Sequence, residues 1–236
     1  MSVFTTQLRL LNKDVNLYRR LRTSRLFELM QEASIRHTEE LGMGRAMTLD
    51  RGLLWMVTLQ RAEIVRMPEY DELITLESWP GATMHLLFPR YYRVLDEAGS
   101  PLLSASALWA LVDQETRRMI FPDRYGVVVE GEVTGNEIAL PSPPRRAAGE
   151  EIARFKVPFS YVDLNGHMNN TRYFDLAEDL IPAAAEGRSL REIAVEYATE
   201  VRLGEEICVT CGVDGGSYSL SGDTEKKIFR MLMRYE

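Results

Sequence analysis

The chain has 236 residues, 45% hydrophobic and 27% charged, with a formal net charge of −7. Those values suit a soluble globular protein of one large or two small domains, and they leave no broad basic face for a nucleic acid. No apolar run reaches the roughly eighteen residues of a membrane span, and the two cysteines are too few for a disulfide framework. The N-terminal sequence has no charged and apolar regions of a secretory signal, so a cytoplasmic location is expected.

The first clear element is a helix from Thr23 or Ser24, either able to cap it, to Gly42. Leu26, Leu29, Met30, Ala33, His37 and Leu41 fall near one face of it. Just upstream, Arg19, Arg20, Arg22 and Arg25 crowd a turn. Segments rich in β-branched and aromatic residues follow at Leu53–Val65, Glu72–Trp79, Arg90–Leu95 and Ser104–Val112, separated by Pro, Gly and acidic turns. The stretch Gly135–Glu151 holds Pro141, Pro143, Pro144 and the Arg145-Arg146 pair and reads as a surface linker. A second helix is expected from about Asn170 to Pro182, then strands at Ile193–Arg202, Glu206–Val213 and Ile228–Tyr235.

The two helical regions repeat. Arg25-Leu26-Phe27-Glu28-Leu29 matches Arg172-Tyr173-Phe174-Asp175-Leu176, and Val15-Asn16-Leu17 matches Val162-Asp163-Leu164, both at an offset of 147. Downstream, Glu63–Pro68 resembles Thr199–Gly204 at an offset of 136. Two echoes in one order imply a tandem duplication. The expected division is 1–134, a linker at 135–151, and 152–236. One helix followed by an antiparallel meander in each copy is an α+β pattern.

Asp163, Asn165 and His167 stand at i, i+2 and i+4 ahead of the second helix, with Gly166 allowing a tight bend. The helix start would turn its free N–H groups and positive dipole end toward the same place, where a developing oxyanion is stabilised. A histidine there can move a proton near neutral pH. The Asp-x-Asn-Gly run alone is equally a turn, with Asn169 or Asn170 capping the helix.

The segment Asp163-Leu164-Asn165-Gly166-His167-Met168-Asn169-Asn170-Thr171-Arg172-Tyr173 resembles the Asp-x-Asn-x-His-x-Asn-Asn-x-x-Tyr signature of hotdog thioesterases. It is closest to that of the acyl–acyl-carrier-protein (acyl-ACP) thioesterases. Val195-Glu196-Tyr197-Ala198-Thr199-Glu200-Val201 is similar to a second block of that family. The resemblance implies a tandem (double) hotdog fold, each half a curled antiparallel sheet wrapped around a long helix. It implies hydrolysis of fatty acyl-ACP without cofactor or metal, with Asp163, Asn165, His167 and Glu200 as the polar network. Plant relatives have a cysteine where this chain has Val201, so attack by activated water is expected, with Glu200 or His167 as base.

At the 147 offset Tyr18 stands for Asn165 and Arg20 for His167. The first copy thus lacks the chemistry, and the resemblance assigns it the acyl tail, with Phe27, Met30, Ile35 and Trp55 as wall residues. A buried methylene contributes about 0.8 kcal/mol, so two carbons alter transition-state binding by roughly fifteen-fold at most unless the pocket has a steric floor. The expected partner is an acyl carrier protein with a phosphopantetheine-linked chain, and Arg19, Arg20, Arg22 and Arg25 are candidate docking residues. Coenzyme A as carrier, a hotdog hydratase or dehydratase, and a non-catalytic acyl-binding protein are the alternatives. Duplication leaves both a monomer and a homodimer open. Cys208 and Cys211, three apart in a strand, would face opposite ways and form no redox or zinc pair.

Overall fold

A computed structural model describes residues 3–132, 134, 137–145 and 149–236. Gly135 and Arg146 of the predicted linker lie outside the described residues.

The strands are β1 Phe4–Arg9, β2 Leu53–Ile64, β3 Leu73–Pro80, β4 Leu87–Leu95, β5 Pro101–Asp113, β6 Glu150–Lys156, β7 Leu190–Tyr197, β8 Glu206–Asp214, β9 Ser217–Asp223 and β10 Lys227–Tyr235. The helices are α1 Thr23–Glu40, α2 Arg172–Leu180 and the single turn α3 Pro182–Ala185. All strands join one antiparallel sheet in the order β1-β3-β4-β5-β2-β7-β10-β9-β8-β6. The order reads identically from both edges once β1–β5 are matched to β6–β10. Two hotdog halves therefore meet at β2 and β7, where Gln60 faces Val195 and Ala62 faces Ile193.

Backbone hydrogen bonds fix the correspondence residue by residue. Asn16 N–H donates to Arg20 O at 2.8 Å, as Asp163 N–H does to His167 O at 3.0 Å, an offset of 147. Leu21 N–H donates to Pro68 O, as Met168 N–H does to Val201 O, so the offset downstream is 133. The expected downstream match at 136 was displaced by three residues. At the correct register, Glu200 corresponds to Met67.

Phe27 and Phe174, counterparts at the 147 offset, stack on each other with ring centroids 4.0 Å apart. Both are fully buried and belong to a core shared by α1, α2 and strands of both halves. The duplicated helices thus bury their apolar faces against each other as well as against the sheet.

Several sequence expectations change. Thr23 does not cap α1: Arg22 holds the N-cap position without a side-chain bond, while Thr23 Oγ1 donates to Glu178 Oε1 at 2.6 Å. The tertiary partner outcompeted the local cap. The second helix is not long, because Pro182 cannot donate to the ladder and α2 stops at Leu180. Strand β7 ends at Tyr197 rather than Arg202, where Ala198 and Thr199 both turn their N–H groups to Ile228 O. Strand β9 was unpredicted. Its Ser- and Gly-rich sequence has low β propensity, yet β8 and β10 pair it on both sides and bury Tyr218 and Leu220. Strand β6 begins at Glu150, inside the predicted linker. Part of the connection crosses the sheet, where the buried Ser106 hydroxyl donates to Ala139 O at 2.7 Å.

Candidate active site

The turn before α2 is built from its own backbone. Asp163 N–H donates to His167 O, Gly166 N–H to Asp163 O, and Asn165 N–H to Asp163 Oδ1 at 2.8 Å. Gly166 takes φ +82°, the left-handed bend that a glycine accepts without strain. Asn169 Oδ1 then accepts from the Thr171 N–H and hydroxyl, leading the chain into α2.

The turn lies beside the segment that follows β7: Met168 N–H reaches Val201 O at 2.8 Å, and His167 bridges Arg202. Val201, fully buried, points its side chain into the core. Its neighbour Glu200 emerges beside the histidine, with its Oε2 lying 3.0 Å from His167 Nε2. His167 is 7% exposed, whereas the Glu200 side chain is 33% exposed. The second Glu200 oxygen, Oε1, lies 3.6 Å from the Arg117 guanidinium. Tyr173 and Tyr197 back the pair with rings 5.5 Å apart, and Tyr197 OH is anchored to Gln60 Oε1 and Asn170 O. Burial, reinforced by the Glu200 charge, pushes the Tyr173 hydroxyl well above its ordinary value, which leaves it a neutral donor.

Asp163 and Asn165 take other places. Among the described residues no side-chain bond joins either to His167. Instead Asp163, Leu164, Asn165 and Asn169 help line a groove of about 310 Å³ beside α1. Ile35, Trp55, Phe88 and Trp109 form its walls. Of the four predicted wall residues, Ile35 and Trp55 are in the groove. Phe27 and Met30 are not, because each is 1% exposed within the helix–helix core.

Arg90 also lines the groove and is almost completely buried. It bonds Ser78 Oγ at 3.1 Å and faces His37 Nδ1 at 3.2 Å, and burial draws its pKa down. Sequence reading missed Arg90 and Arg117, because an arginine in a strand or hairpin carries no motif.

The duplication supplies a second cavity of about 530 Å³, lined by Asn16, Tyr18, Arg20 and Met67, the counterparts of Asp163, Asn165, His167 and Glu200, against α2 and α3. Here the positions serve as joints. Arg20 donates to Gly187 O at 2.8 Å and Arg188 O at 3.3 Å, and Tyr18 OH donates to Ala185 O. Arg25 is held by Asp14 at 2.9 Å and by Glu28 and Glu32. Of the predicted docking arginines, only Arg19 and Arg22 are exposed. Arg19 lies over the Tyr70 ring, and Arg22 reaches Lys13 O.

Residues 1–122 match the acyl-ACP thioesterase N-terminal domain, and residues 145–233 match the C-terminal domain of the same family. The chain belongs to the acyl-ACP thioesterase family. An acyl-[acyl-carrier-protein] hydrolase from Cuphea viscosissima is 25% identical over 232 residues, covering 89% of this chain and 54% of the relative. A dodecanoyl-[acyl-carrier-protein] hydrolase from Umbellularia californica is 26% identical over 208 residues, 80% of this chain and 53% of the relative. This family member thus spans about half the length of the curated relatives it matches. Among solved structures, an acyl-ACP thioesterase from Bacteroides thetaiotaomicron superposes with a TM-score of 0.87 at 21% identity, covering 99% of this chain and 98% of that one. A 12:0-ACP thioesterase from Umbellularia californica gives 0.83 at 20% identity, over 99% and 94%. The double hotdog fold expected from the sequence is therefore the fold of this thioesterase-family chain. Among the described residues no helix is long and apolar enough to cross a membrane.

Proposed function

We propose that this chain hydrolyses the thioester of a fatty acyl chain carried on acyl carrier protein, releasing the free acid and the carrier thiol. The observation that carries this reading is the 3.0 Å contact between His167 and Glu200, next to a turn that opens onto an apolar groove. Glu200 is the more exposed partner, so it meets water more readily and serves as the base, with His167 holding its Oε2. The water oxygen bonds to the acyl carbon, the C–S bond breaks, and the proton taken by Glu200 passes to the departing thiolate. The start of α2, five residues beyond His167, adds positive dipole character beside the developing oxyanion. Asp163 and Asn165, lining the groove, orient the thioester rather than the histidine.

The acyl tail enters the groove between α1 and the inner face of β2, β4 and β5, which places the N-terminal half in charge of chain length. Arg19 and Arg22 are the members of the arginine turn that an acidic carrier can reach. Charge reversal at both is expected to raise KM for carrier-bound substrate and leave the coenzyme A thioester unaffected.

The test is thiol release by the purified chain from matched acyl-ACP and acyl-CoA thioesters across chain lengths. His167→Ala and Glu200→Gln should each reduce turnover at least about 100-fold while melting like the parent. Full turnover by both variants would reject the site. Preference for the coenzyme A substrate would keep the reaction and change the carrier.

A further inference from the structure

Glu200 has two oxygens, and the structure gives each a partner. His167 Nε2 lies 3.0 Å from Oε2, and Arg117 from the other half of the chain faces Oε1 at 3.6 Å. Resting on the proposed role of Glu200 as base, we infer that Arg117 is a positioning residue, set by the N-terminal half to orient the carboxylate of the C-terminal half toward water.

The hairpin after β5 is shaped for that task. Asp113 N–H donates to Arg118 O, Arg117 N–H donates to Asp113 O, and Val112 bridges Met119, so residues 113–118 form a closed turn. Asp113 Oδ1 accepts from both the N–H and the hydroxyl of Thr116 at 2.7 Å, contacts that hold its carboxyl below the usual range. Within this braced turn Arg117 takes φ +56°. The left-handed region disfavours a residue with a Cβ, and a turn of glycine or asparagine would carry no such strain. The bend points the guanidinium across the boundary between the halves. Among the described residues, it is the one N-terminal cation in an ion pair with Glu200.

Arg117 and Glu200 are exposed to similar degrees, 36% and 33%. A carboxylate left with His167 alone could rotate about its χ angles toward solvent, whereas a cation beside the second oxygen favours one orientation of the carboxylate. A group of this kind alters the rate of the chemical step and leaves ground-state affinity alone. It also accounts for a chemistry confined to one half of a duplicated chain that still needs the other half beside it.

The experiment measures steady-state thiol release from acyl-ACP for the full chain and for Arg117→Ala, Arg117→Lys, Glu200→Gln and the Arg117→Ala/Glu200→Gln double variant, each with a thermal melt. Arg117→Ala is expected to lower kcat about tenfold or more with KM and melting temperature unchanged. Arg117→Lys and millimolar guanidinium added to Arg117→Ala should each restore part of the loss. In the Glu200→Gln background, removing Arg117 should have no further effect, because the group it orients is gone. An unchanged kcat in Arg117→Ala, or a loss confined to KM, would overturn the inference, as would equal losses with and without Glu200. If Glu200→Gln itself turns over like the parent, the fault lies in the proposed base, whatever Arg117 does.

Discussion

Glu178 makes the stability of this fold depend on pH in a calculable way. Its carboxyl sits in the joint between the two helices, where the Thr23 hydroxyl donates to it at 2.6 Å. Burial, together with the neighbouring Asp175 and Asp179 charges, outweighs that hydrogen bond and the Arg22 charge and raises its pKa from 4.5 to about 7. The folded state therefore binds this proton more tightly than the unfolded chain. Below pH 4.5 both states are protonated and the group contributes nothing against folding. Between 4.5 and about 7 the unfolded chain ionises first and stability falls, and above about 7 the full penalty persists. At about 1.4 kcal/mol per pH unit, the penalty amounts to about 3 kcal/mol. Glu178→Gln keeps an acceptor for Thr23 and removes the ionisation. Urea unfolding of both proteins at half-unit steps from pH 4.5 to 8.5 should give nearly equal stabilities at the acid end. A gap favouring the variant should open through pH 5–7 and level off near 3 kcal/mol. A gap that does not change with pH, or one that favours Glu178 above pH 7, would refute the reasoning.

Phe27→Ala should destabilise the chain by about 3–5 kcal/mol, since it empties half of the stack at the helix–helix contact; a shifted chain-length profile with unchanged melting would instead return Phe27 to the groove wall. Gly187→Ala should cost at least about 1–2 kcal/mol, because φ is +72° and an added Cβ would lie 2.5 Å from the Tyr18 ring. Thermal melts in the parent and Tyr18→Ala backgrounds check this, since the second removes the steric part alone. Ile35→Trp should crowd the groove and lower kcat/KM for the longest acyl chains first, by up to about fifteen-fold for each two carbons denied burial. A uniform loss across chain lengths would show that Ile35 does not bound the tail.

The family and the duplication were legible in the sequence because they rest on local signals, whereas the association of His167 with Glu200 was implied by the family resemblance. The turn Asp163–Asn169 bonds mostly to itself, and its closeness to Glu200 follows from a short antiparallel bridge to the segment after β7. Helix α1 was legible through its apolar period, and α2 through its repeat of the same residues. What local pattern could not decide was which apolar residue meets solvent-filled space and which meets another helix. Phe27 and Ile35 are equally apolar on one helix, yet Phe27 stacks on its own duplicate while Ile35 lies 55% exposed along the groove. Thr23 has the residue type of a cap and became a cross-helix donor, because the partly buried carboxyl of Glu178 gains from its hydroxyl.

The arginines show the division most clearly. Their clustering was visible in the chain, but a charge run carries no information about which carbonyls or carboxylates will surround it. Folding within the first half drew Arg25 onto Asp14, while the meeting of the halves turned Arg20 inward to Gly187 and carried Arg117 across to Glu200. The sequence by itself determined the two main helices, most of the strands, their duplication and the turn that bears the histidine, since each depends largely on neighbours a few residues away. Tertiary structure decided the groove, the joint that replaced the second site, and the partners of Arg20 and Arg117. Those depend on contacts across a sheet that brings residues 80 to 170 positions apart into bonding distance.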